Sequence, residues 1–277
     1  MIGTAHIKAI SVGHGLSVNS ASFGIVHSVF SQAINLIVGG DMWTLLAMQK
    51  VDRPFGIRVT LSNFDSIGLR SGDPVNIRAG YVGIASRLVI DCRAAVRWAP
   101  PYQSKPERGL EQRLAMIATA AADRSWTGSA QMARELRSAF DDTTKLGGLV
   151  AKVVGRGPGA TPSGDDVLVG ILAVLTSPYA GISGAAVANL LSCAIRPVLP
   201  STNEISAHLL RQAACGLFGR DIHELVHGLH GGFAPVQFSE KVHRIVETGA
   251  TSGADMCEGL LAFAPYFFLN HIETAAA

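Results

Sequence analysis

A glycine-rich stretch between two apolar runs carries the residues best suited to chemistry. Residues 155–170 read GRGPGATPSGDDVLVG, between an apolar run that ends at Val154 and another that starts at Val167. Glycine permits positive φ and lets a ligand approach the main chain closely. A helix that Ser163 caps would direct its first free amides into the loop. The stretch therefore predicts a helix-to-helix loop that binds an anion.

The second half of this stretch occurs again near the end of the chain. Residues 163–170 (SGDDVLVG) and 252–259 (SGADMCEG) share the pattern S-G-x-D-x-x-x-G. A structural reading is that serine and aspartate form a capping box, while the later glycine lets another helix approach closely. Capping requires neither the glycine-rich lead-in nor the additional carboxylate at Asp165, so these features favour a functional loop.

The residue types divide the loop into donors and carboxylates. Backbone amides and hydroxyl groups can donate hydrogen bonds to a phosphate. Asp165 and Asp166 would repel an anion, so we expect them to bind Mg²⁺, often through water, or to accept hydrogen bonds from a substrate amide. No organic cofactor is indicated. The predicted phosphate-binding residues are Gly157, Gly159, Thr161, Ser163 and Gly164.

The repeat also predicts that its two helices meet. Residues four apart share a helix face, so Asp166 lies on the side of Gly170, and Asp255 on the side of Gly259. We expect the helices to pack at these glycines and to bring both acids, with Ser252 as a further substrate ligand, to the edge of one pocket. Two positive helix ends there would attract an anion. The predicted catalytic residues are Asp165, Asp166 and Asp255.

A later segment, residues 201–211 (STNEISAHLLR), offers two more ligands. Thr202 or Asn203 can cap a helix, which places Ser206 near its first turn. Arg211 lies about 140° further round that helix, so the two side chains do not share a face. Arginine suits bidentate capture of a carboxylate or phosphate, and the alternative is a guanidinium extended into solvent. Ser206 and Arg211 are predicted substrate ligands, with Arg211 as the clamp.

Residues 223–227 read HELVH, the H-E-x-x-H pattern of many zinc proteases. The extended form of that motif fails, because His230 and Phe233 occupy the positions that should hold a glycine and a third histidine. We therefore expect these histidines on a solvated or partner-facing surface. A zinc hydrolase is the less favoured alternative, with His223, Glu224 and His227 as its site residues.

Composition limits the classes of function. The formal net charge of +2 over 277 residues includes no dense basic run, so neither nucleic acid nor an anionic membrane is an expected partner. Charged residues are 16% of the chain, against about 25% in a typical domain, which indicates surface buried against other subunits or in a homo-oligomer. The four cysteines form no CxxC pair, as is typical of a cytoplasmic protein. We expect no secretory leader and no membrane span, because the apolar runs near 167–175 and 260–269 are short.

The elements that must position these residues fall into two groups. Residues 1–100 contain several short apolar runs, separated by turn signals such as Gly39-Gly40-Asp41, and predict a small β barrel or sandwich. The proline-containing segment 101–106 is predicted to be a linker. Residues 107–277 have a helical apolar period and carry the loop. The predicted fold class is therefore α+β, with a β domain followed by a larger α-helical domain.

Several segments together resemble one bacterial family. They are AINL at 33–36, GRGPGATPSGDDVLVG at 155–170, TSGADMCEG at 251–259, and the residues Ser206, Leu210, Arg211 and 216–218 (GLF). This family includes the smallest subunit of the oxamate carbamoyltransferase of allantoin degradation, a branch of purine catabolism. The resemblance covers nearly the whole chain. It implies transfer of a carbamoyl group between carbamoyl phosphate and oxamate, giving oxalurate and phosphate, in a multi-subunit enzyme.

Two functional hypotheses follow. In the preferred one, the chain is a cytoplasmic carbamoyltransferase component that binds carbamoyl phosphate at residues 155–166 and a small acid amide beside it. Carbamoyl transfer needs donors for the phosphate, polarisation of the carbonyl and an anchor for the acceptor carboxylate. In the alternative, the chain is a non-catalytic scaffold of that complex, and both motif copies merely cap helices that pack through Gly170 and Gly259.

Overall fold

A computed structural model describes residues 4–100, 109–140 and 142–274, with side chains up to Phe268. The chain divides into two compact units, Met1–Pro101 and Tyr102–Ala277. Strands form the first unit and helices form the second, which confirms the predicted α+β class. The predicted linker at 101–106 lies outside the described residues.

The first unit is a β barrel. Its strands are β1 (Ala5–Gly13), β2 (Ser22–Phe30), β3 (Ala33–Val38), β4 (Asp41–Leu46), β5 (Gly56–Val59), β6 (Pro74–Arg78), β7 (Tyr81–Ile84), β8 (Leu88–Asp91) and β9 (Val96–Trp98). Within residues 4–100, eight strands close in the order β5-β4-β3-β2-β6-β7-β8-β1, because β1 also pairs antiparallel with β5. The additional strand β9 runs parallel to the second half of β1.

Local sequence explains much of this barrel. Gly39 and Gly40 have φ values of 60° and 91° and join β3 to β4, as a two-residue hairpin turn with positive φ requires. In β6, exposed and buried residues alternate, which is the pattern of a strand with one face on the core. Leu36, Leu45 and Ile77 are among the buried aliphatic side chains inside. The barrel is thus a packed scaffold.

The second unit is a helical bundle around one central helix. Its helices are α1 (Leu110–Ala121), α2 (Ser129–Ala139), α3 (Leu146–Val153), α4 (Ser163–Leu175), α5 (Gly181–Ile195), α6 (Glu204–Ala214), α7 (Arg220–Leu229), α8 (Pro235–Val246) and α9 (Ser252–Thr274). Every residue of α4 is buried, which is typical of a helix in the interior of a bundle. Among the described elements, α9 makes the most extensive contact with α4.

Helices α4 and α9 cross at Gly170 and Gly259, which confirms the packing that the repeat predicts. A Cβ atom added at Gly170 would lie 1.9 Å from the carbonyl oxygen of Met256, and one at Gly259 would lie 2.1 Å from that of Val167. These two contacts are equivalent, because Met256 and Val167 hold the same position in their copies of the motif. The two backbones therefore touch directly, with no side chain between them.

One helical stretch is both apolar and exposed. The most apolar 18-residue window of Pro178–Ser201, the stretch that contains α5, has a mean hydropathy of 1.5, and only 22% of that window is buried. By length and composition it could cross a membrane, which alone is weak evidence for a span. Alanine, glycine and serine interrupt the large apolar residues of this stretch, so no long apolar run marks it in the sequence. Helix α5 packs Gly184, Ala188, Leu191 and Ile195 towards the other helices.

Candidate functional site

The loop between α3 and α4 adopts the conformation that its glycines predict. Gly155, Gly157 and Gly159 have φ values of 74°, 102° and 107°, in the left-handed region that other residues rarely enter. A Cβ atom at Gly155 would lie 2.3 Å from the carbonyl oxygen of Ser201, and one at Gly157 would lie 2.7 Å from Cβ of Ser163. The loop is therefore pressed against both the start of α4 and the segment before α6.

Asp165 holds this loop in place. Its Oδ1 accepts a hydrogen bond from the Gly155 amide at 2.8 Å, and its Oδ2 accepts one from Thr202 Oγ1. Burial raises the pKa of Asp165, against the lowering effect of the hydrogen bonds from Thr202 and Gly155. The Ser206 hydroxyl lies close enough to lower that pKa as well, although it makes no hydrogen bond of normal geometry. Both oxygens of Asp165 thus connect the loop to the segment that leads into α6.

Asp166 lies where the first turns of α4 and α9 meet. Thr161 Oγ1 donates a hydrogen bond to its Oδ2 at 2.9 Å and lies 2.8 Å from Ser252 Oγ. Desolvation raises the pKa of Asp166 to about 8, opposed by hydrogen bonds from Thr161 and Ser252 and reinforced by the charges of Asp255 and Asp165. The carboxyl group therefore holds a proton at neutral pH, and two hydroxyl groups link it to α9.

Asp255 has a different environment. It is fully buried, and its Oδ1 accepts hydrogen bonds from the Trp126 amide at 2.8 Å and from Ser129 Oγ at 2.7 Å. These bonds hold the start of α2 against the first turn of α9. Its Oδ2 has no hydrogen-bond partner among the described residues. The expected position at the edge of a pocket is wrong for Asp255, which lies in the interior, although its charge still reaches Asp166.

The Ser163 hydroxyl does not cap α4. The helix begins at Ser163 itself, after Pro162, and no side chain accepts a hydrogen bond from its first amides. Ser163 Oγ is buried without a partner among the described residues, and a Cβ atom at Gly157 would lie 3.0 Å from it. The predicted cap is wrong because the helix starts one residue too early for it. Capping therefore does not account for this serine.

Buried polar atoms without partners gather around these helix starts. In the part of the chain that the structure describes, they include Ser163 Oγ, Ser206 Oγ and Asp255 Oδ2. An unsatisfied buried group of this kind lowers stability by about 1–3 kcal/mol. Native proteins satisfy nearly all such groups, with ordered water counted among their partners, so another group is expected to form the missing hydrogen bonds. A bound ligand can do this.

Some of the predicted phosphate donors are free and others are not. The Gly164 amide donates to the carbonyl oxygen of Arg156 at 2.8 Å, and a Cβ atom at Gly164 would lie 2.1 Å from the carbonyl oxygen of Val153. Gly164 is therefore a packing residue whose amide is in use. The amides of Gly157 and Gly159 form no hydrogen bond to other described residues and remain available to a ligand.

Helix α6 brings Ser206 to this site and leaves Arg211 outside. Asn203 caps α6, because its Oδ1 accepts a hydrogen bond from the Ser206 amide at 3.0 Å, while its Nδ2 donates to the carbonyl oxygen of Ala160 in the loop. Ser206 faces inwards and is buried. Arg211 is exposed, as expected for a residue on another face, and forms no hydrogen bond or ion pair with the described residues.

The predicted magnesium ligands are engaged in other ways. Both oxygens of Asp165 accept hydrogen bonds from the chain, and a pKa of about 8 leaves Asp166 protonated at neutral pH. Carboxylates bind metals in their deprotonated form. Mg²⁺ would therefore have to displace the proton of Asp166 and the hydrogen bonds of Asp165, and its binding stays a prediction that titration with the metal can test.

Residues of the H-E-x-x-H pattern contact other side chains of the helical unit. Glu224 pairs with Lys241 at 2.7 Å, and His227 Nδ1 lies 3.1 Å from the Tyr179 hydroxyl. His230 stacks on the Tyr179 ring, and its burial lowers its pKa to about 4, so the expected surface position is wrong for His230. No group of three His, Cys, Asp or Glu side chains in the described ranges could hold a metal ion.

Comparisons with known proteins identify the family. Residues 8–97 match the AllH family N-terminal domain, and residues 153–264 match the family described as oxamate carbamoyltransferase subunit AllH. The chain belongs to the AllH family. The resemblance found in the sequence is thereby confirmed. The second AllH match includes the loop, α4 and the Ser252–Asp255 turn. No solved structure matches the chain.

In this AllH chain, the sequence does not predict the groups that form hydrogen bonds with Asp165 and Asp255. Ser129 lies 126 positions from Asp255, and no local pattern signals that they meet. Trp126 contributes only its backbone amide, which every residue except proline carries. The sequence predicts Thr202 only as a possible cap for α6, and in the structure its hydroxyl donates to Asp165. Such contacts depend on tertiary packing and become visible only in the fold.

Proposed function

We propose that this AllH-family chain is a subunit of an oxamate carbamoyltransferase and that its loop at residues 155–166 binds carbamoyl phosphate. The observation that carries the proposal is the pair of buried, unpartnered polar atoms of Ser163 and Asp255 beside a loop with free amides. The family description supports the type of reaction. The other subunits of that enzyme are the expected partners, in the cytoplasm.

The phosphoryl group would bind at the outer side of the loop. Gly159 is exposed, Gly157 is half-buried, and both amides are free to donate. The starts of α4 and α9 add two positive helix ends, which favour an anion. The Arg156 side chain is exposed and forms no ion pair with the described residues, so it can add a positive charge. Donors and charges therefore favour phosphate at this end of the site.

The carboxyl groups would have separate roles. Asp165 is a positioning residue, because its hydrogen bonds hold the loop against the segment before α6. Asp166 carries a proton at neutral pH and could give it to the phosphate oxygen that leaves the carbamoyl carbon. Thr161 and Ser252 would orient Asp166 and bind substrate.

Titration calorimetry on the full chain tests this proposal. Carbamoyl phosphate should bind to the chain alone, and titrations with and without Mg²⁺ would show whether the metal contributes. Thr161→Val should weaken binding about tenfold, because it removes the hydroxyl group that orients Asp166 and joins it to Ser252. Thr119→Val is a matched control, since the Thr119 hydroxyl bonds only within α1.

The scaffold alternative predicts the opposite result. A folded chain that binds neither carbamoyl phosphate nor inorganic phosphate, with or without Mg²⁺, would exclude the proposed phosphate loop. Asp166→Asn provides a second check, because it keeps the size of the side chain and removes its acidic proton. If Mg²⁺ contributes to binding, Asp166→Asn should abolish that contribution while leaving the chain folded. Loss of stability with unchanged ligand affinity would assign Asp166 a structural role.

A further inference from the structure

The interior of the proposed site differs from its entrance in hydrogen-bonding character. Free backbone amides at Gly157 and Gly159 are donors, and they lie on the exposed loop. The unpartnered atoms of the interior include Asp255 Oδ2 and Ser163 Oγ. A carboxylate oxygen only accepts hydrogen bonds, and a hydroxyl group can accept as well as donate. The interior therefore fits the donor end of a ligand.

Asp255 is held so that one oxygen remains available. Its Oδ1 is occupied by the Trp126 amide and the Ser129 hydroxyl, which fix the orientation of the carboxylate. Oδ2 keeps no partner within the described ranges, although Asp255 is 0% exposed. Because leaving a buried carboxylate oxygen unpaired is unfavourable, a donor on a ligand would gain a strong, charge-assisted hydrogen bond here.

Ser163 offers the second acceptor from the other copy of the motif. Its hydroxyl is also 0% exposed, and it lies beside the backbone of Gly157, where any side chain would collide with it. Asp255 and Ser163 stand in the first turns of α9 and α4, and Thr161 joins these turns because its hydroxyl contacts both Asp166 and Ser252. The two acceptors thus belong to one pair of helix starts.

We infer that Asp255 and Ser163 recognise the N–H groups of a primary amide, while the anionic end of the same ligand remains at the amides of the loop. This inference rests on the proposed function. Carbamoyl phosphate and oxamate both consist of a primary amide beside an anionic group, so the shared chemistry is an amide next to an anion. An interior carboxylate repels the anionic end, which fixes the direction in which such a ligand enters.

Methyl isosteres provide the test, because they keep the anion and remove the N–H donors. Acetyl phosphate is the isostere of carbamoyl phosphate, and pyruvate is that of oxamate. With the full chain, carbamoyl phosphate should bind at least about tenfold more tightly than acetyl phosphate, since an isostere without donors leaves buried acceptors unpaired. The oxamate and pyruvate pair shows whether the amide of the acceptor substrate is recognised in the same way.

Ser163→Ala is the decisive variant. It removes a hydroxyl group without a partner, so the chain should fold at least as well as the wild type, and the preference for carbamoyl over acetyl phosphate should fall several-fold. Asp255→Asn replaces the acceptor with an amide and should abolish the preference. Ser192→Ala is the matched control, because the Ser192 hydroxyl bonds only within α5.

The outcomes separate this inference from the proposed function. Equal affinities for carbamoyl phosphate, acetyl phosphate and inorganic phosphate would overturn amide recognition and leave the phosphate loop intact. Absence of binding by all three would overturn both. An undiminished preference in Ser163→Ala would remove Ser163 from the site. A preference for oxamate over pyruvate without one for carbamoyl phosphate would assign the amide site to the acceptor substrate.

Discussion

The two copies of S-G-x-D-x-x-x-G use the same backbone positions and have different side-chain environments. Gly170 and Gly259 make equivalent contacts, each against a carbonyl oxygen of the other helix. The acids differ, because Asp166 is linked to the hydroxyls of Thr161 and Ser252, whereas Asp255 binds the start of α2 through a backbone amide and a hydroxyl. The comparison shows that the glycines of the repeat determine packing, while the surroundings of each acid determine its chemistry.

The largest expected effect comes from the glycines at the helix crossing, which both copies of the motif share. Gly170→Ala should destabilise the chain by about 3 kcal/mol or more, because the added Cβ atom would lie 1.9 Å from a carbonyl oxygen of α9. Gly259→Ala should behave in the same way. Urea unfolding measures both effects, and wild-type stability in either variant would contradict the close crossing.

A matched control comes from α3. Gly148 is helical and exposed, and a Cβ atom there would have no heavy atom within 4 Å. Gly148→Ala should therefore stabilise the chain by about 0.5–1 kcal/mol, which is the ordinary preference of a helix interior for alanine.

The pH dependence of stability tests the acid of the first copy. The pKa of Asp166 in the folded chain, about 8, lies above the usual value near 3.8, so the folded chain binds more protons than the unfolded chain between these values. The free energy of unfolding should therefore fall as pH rises, by about 2–3 kcal/mol from pH 5 to pH 7, and level off above pH 8.

Asp166→Asn isolates this contribution. The variant should lack the part of the slope that Asp166 causes, so the difference between its free energy of unfolding and that of the wild type should change with pH over the same range. Parallel curves for the two proteins would show that Asp166 titrates normally.

The acid of the second copy should act through its hydrogen bonds. Asp255→Ala is expected to destabilise the chain by about 2 kcal/mol, because it leaves the Trp126 amide and the Ser129 hydroxyl unpaired in the interior. Asp255→Asn keeps one acceptor oxygen and should have a smaller effect. If thermal or urea unfolding shows the same loss of stability in Asp255→Ala and Asp255→Asn, the charge of Asp255 contributes more to stability than these hydrogen bonds.

The smallest expected effect concerns the connection between the copies. Thr161→Val should lower stability by about 1 kcal/mol, because Thr161 is only half-buried and water can replace part of its bonding. The same change in an Asp166→Asn background should have a different effect if the two side chains are coupled. Additive effects in this double-mutant cycle would show that the hydrogen bond between them contributes nothing.

The sequence predicted features that depend on local backbone chemistry or on helix periodicity. The hairpin at Gly39 and Gly40, the positive φ values of the loop and the crossing at Gly170 belong to this group. It did not predict features that depend on distant parts of the chain, such as closure of the barrel between β1 and β5. The environment of Asp255 is of the same kind, because its partners lie more than a hundred residues away.

The exposed face of α5 has a consequence for the behaviour of the chain in solution. Ile182 and Leu190 are 90% and 49% exposed, and a formal net charge of +2 gives little repulsion between molecules. Sulfate salts strengthen the association of apolar surfaces because they are excluded from the protein surface. The chain purified alone should therefore precipitate at low ammonium sulfate concentrations, and replacing Ile182 and Leu190 with lysine should shift that salting-out point upward.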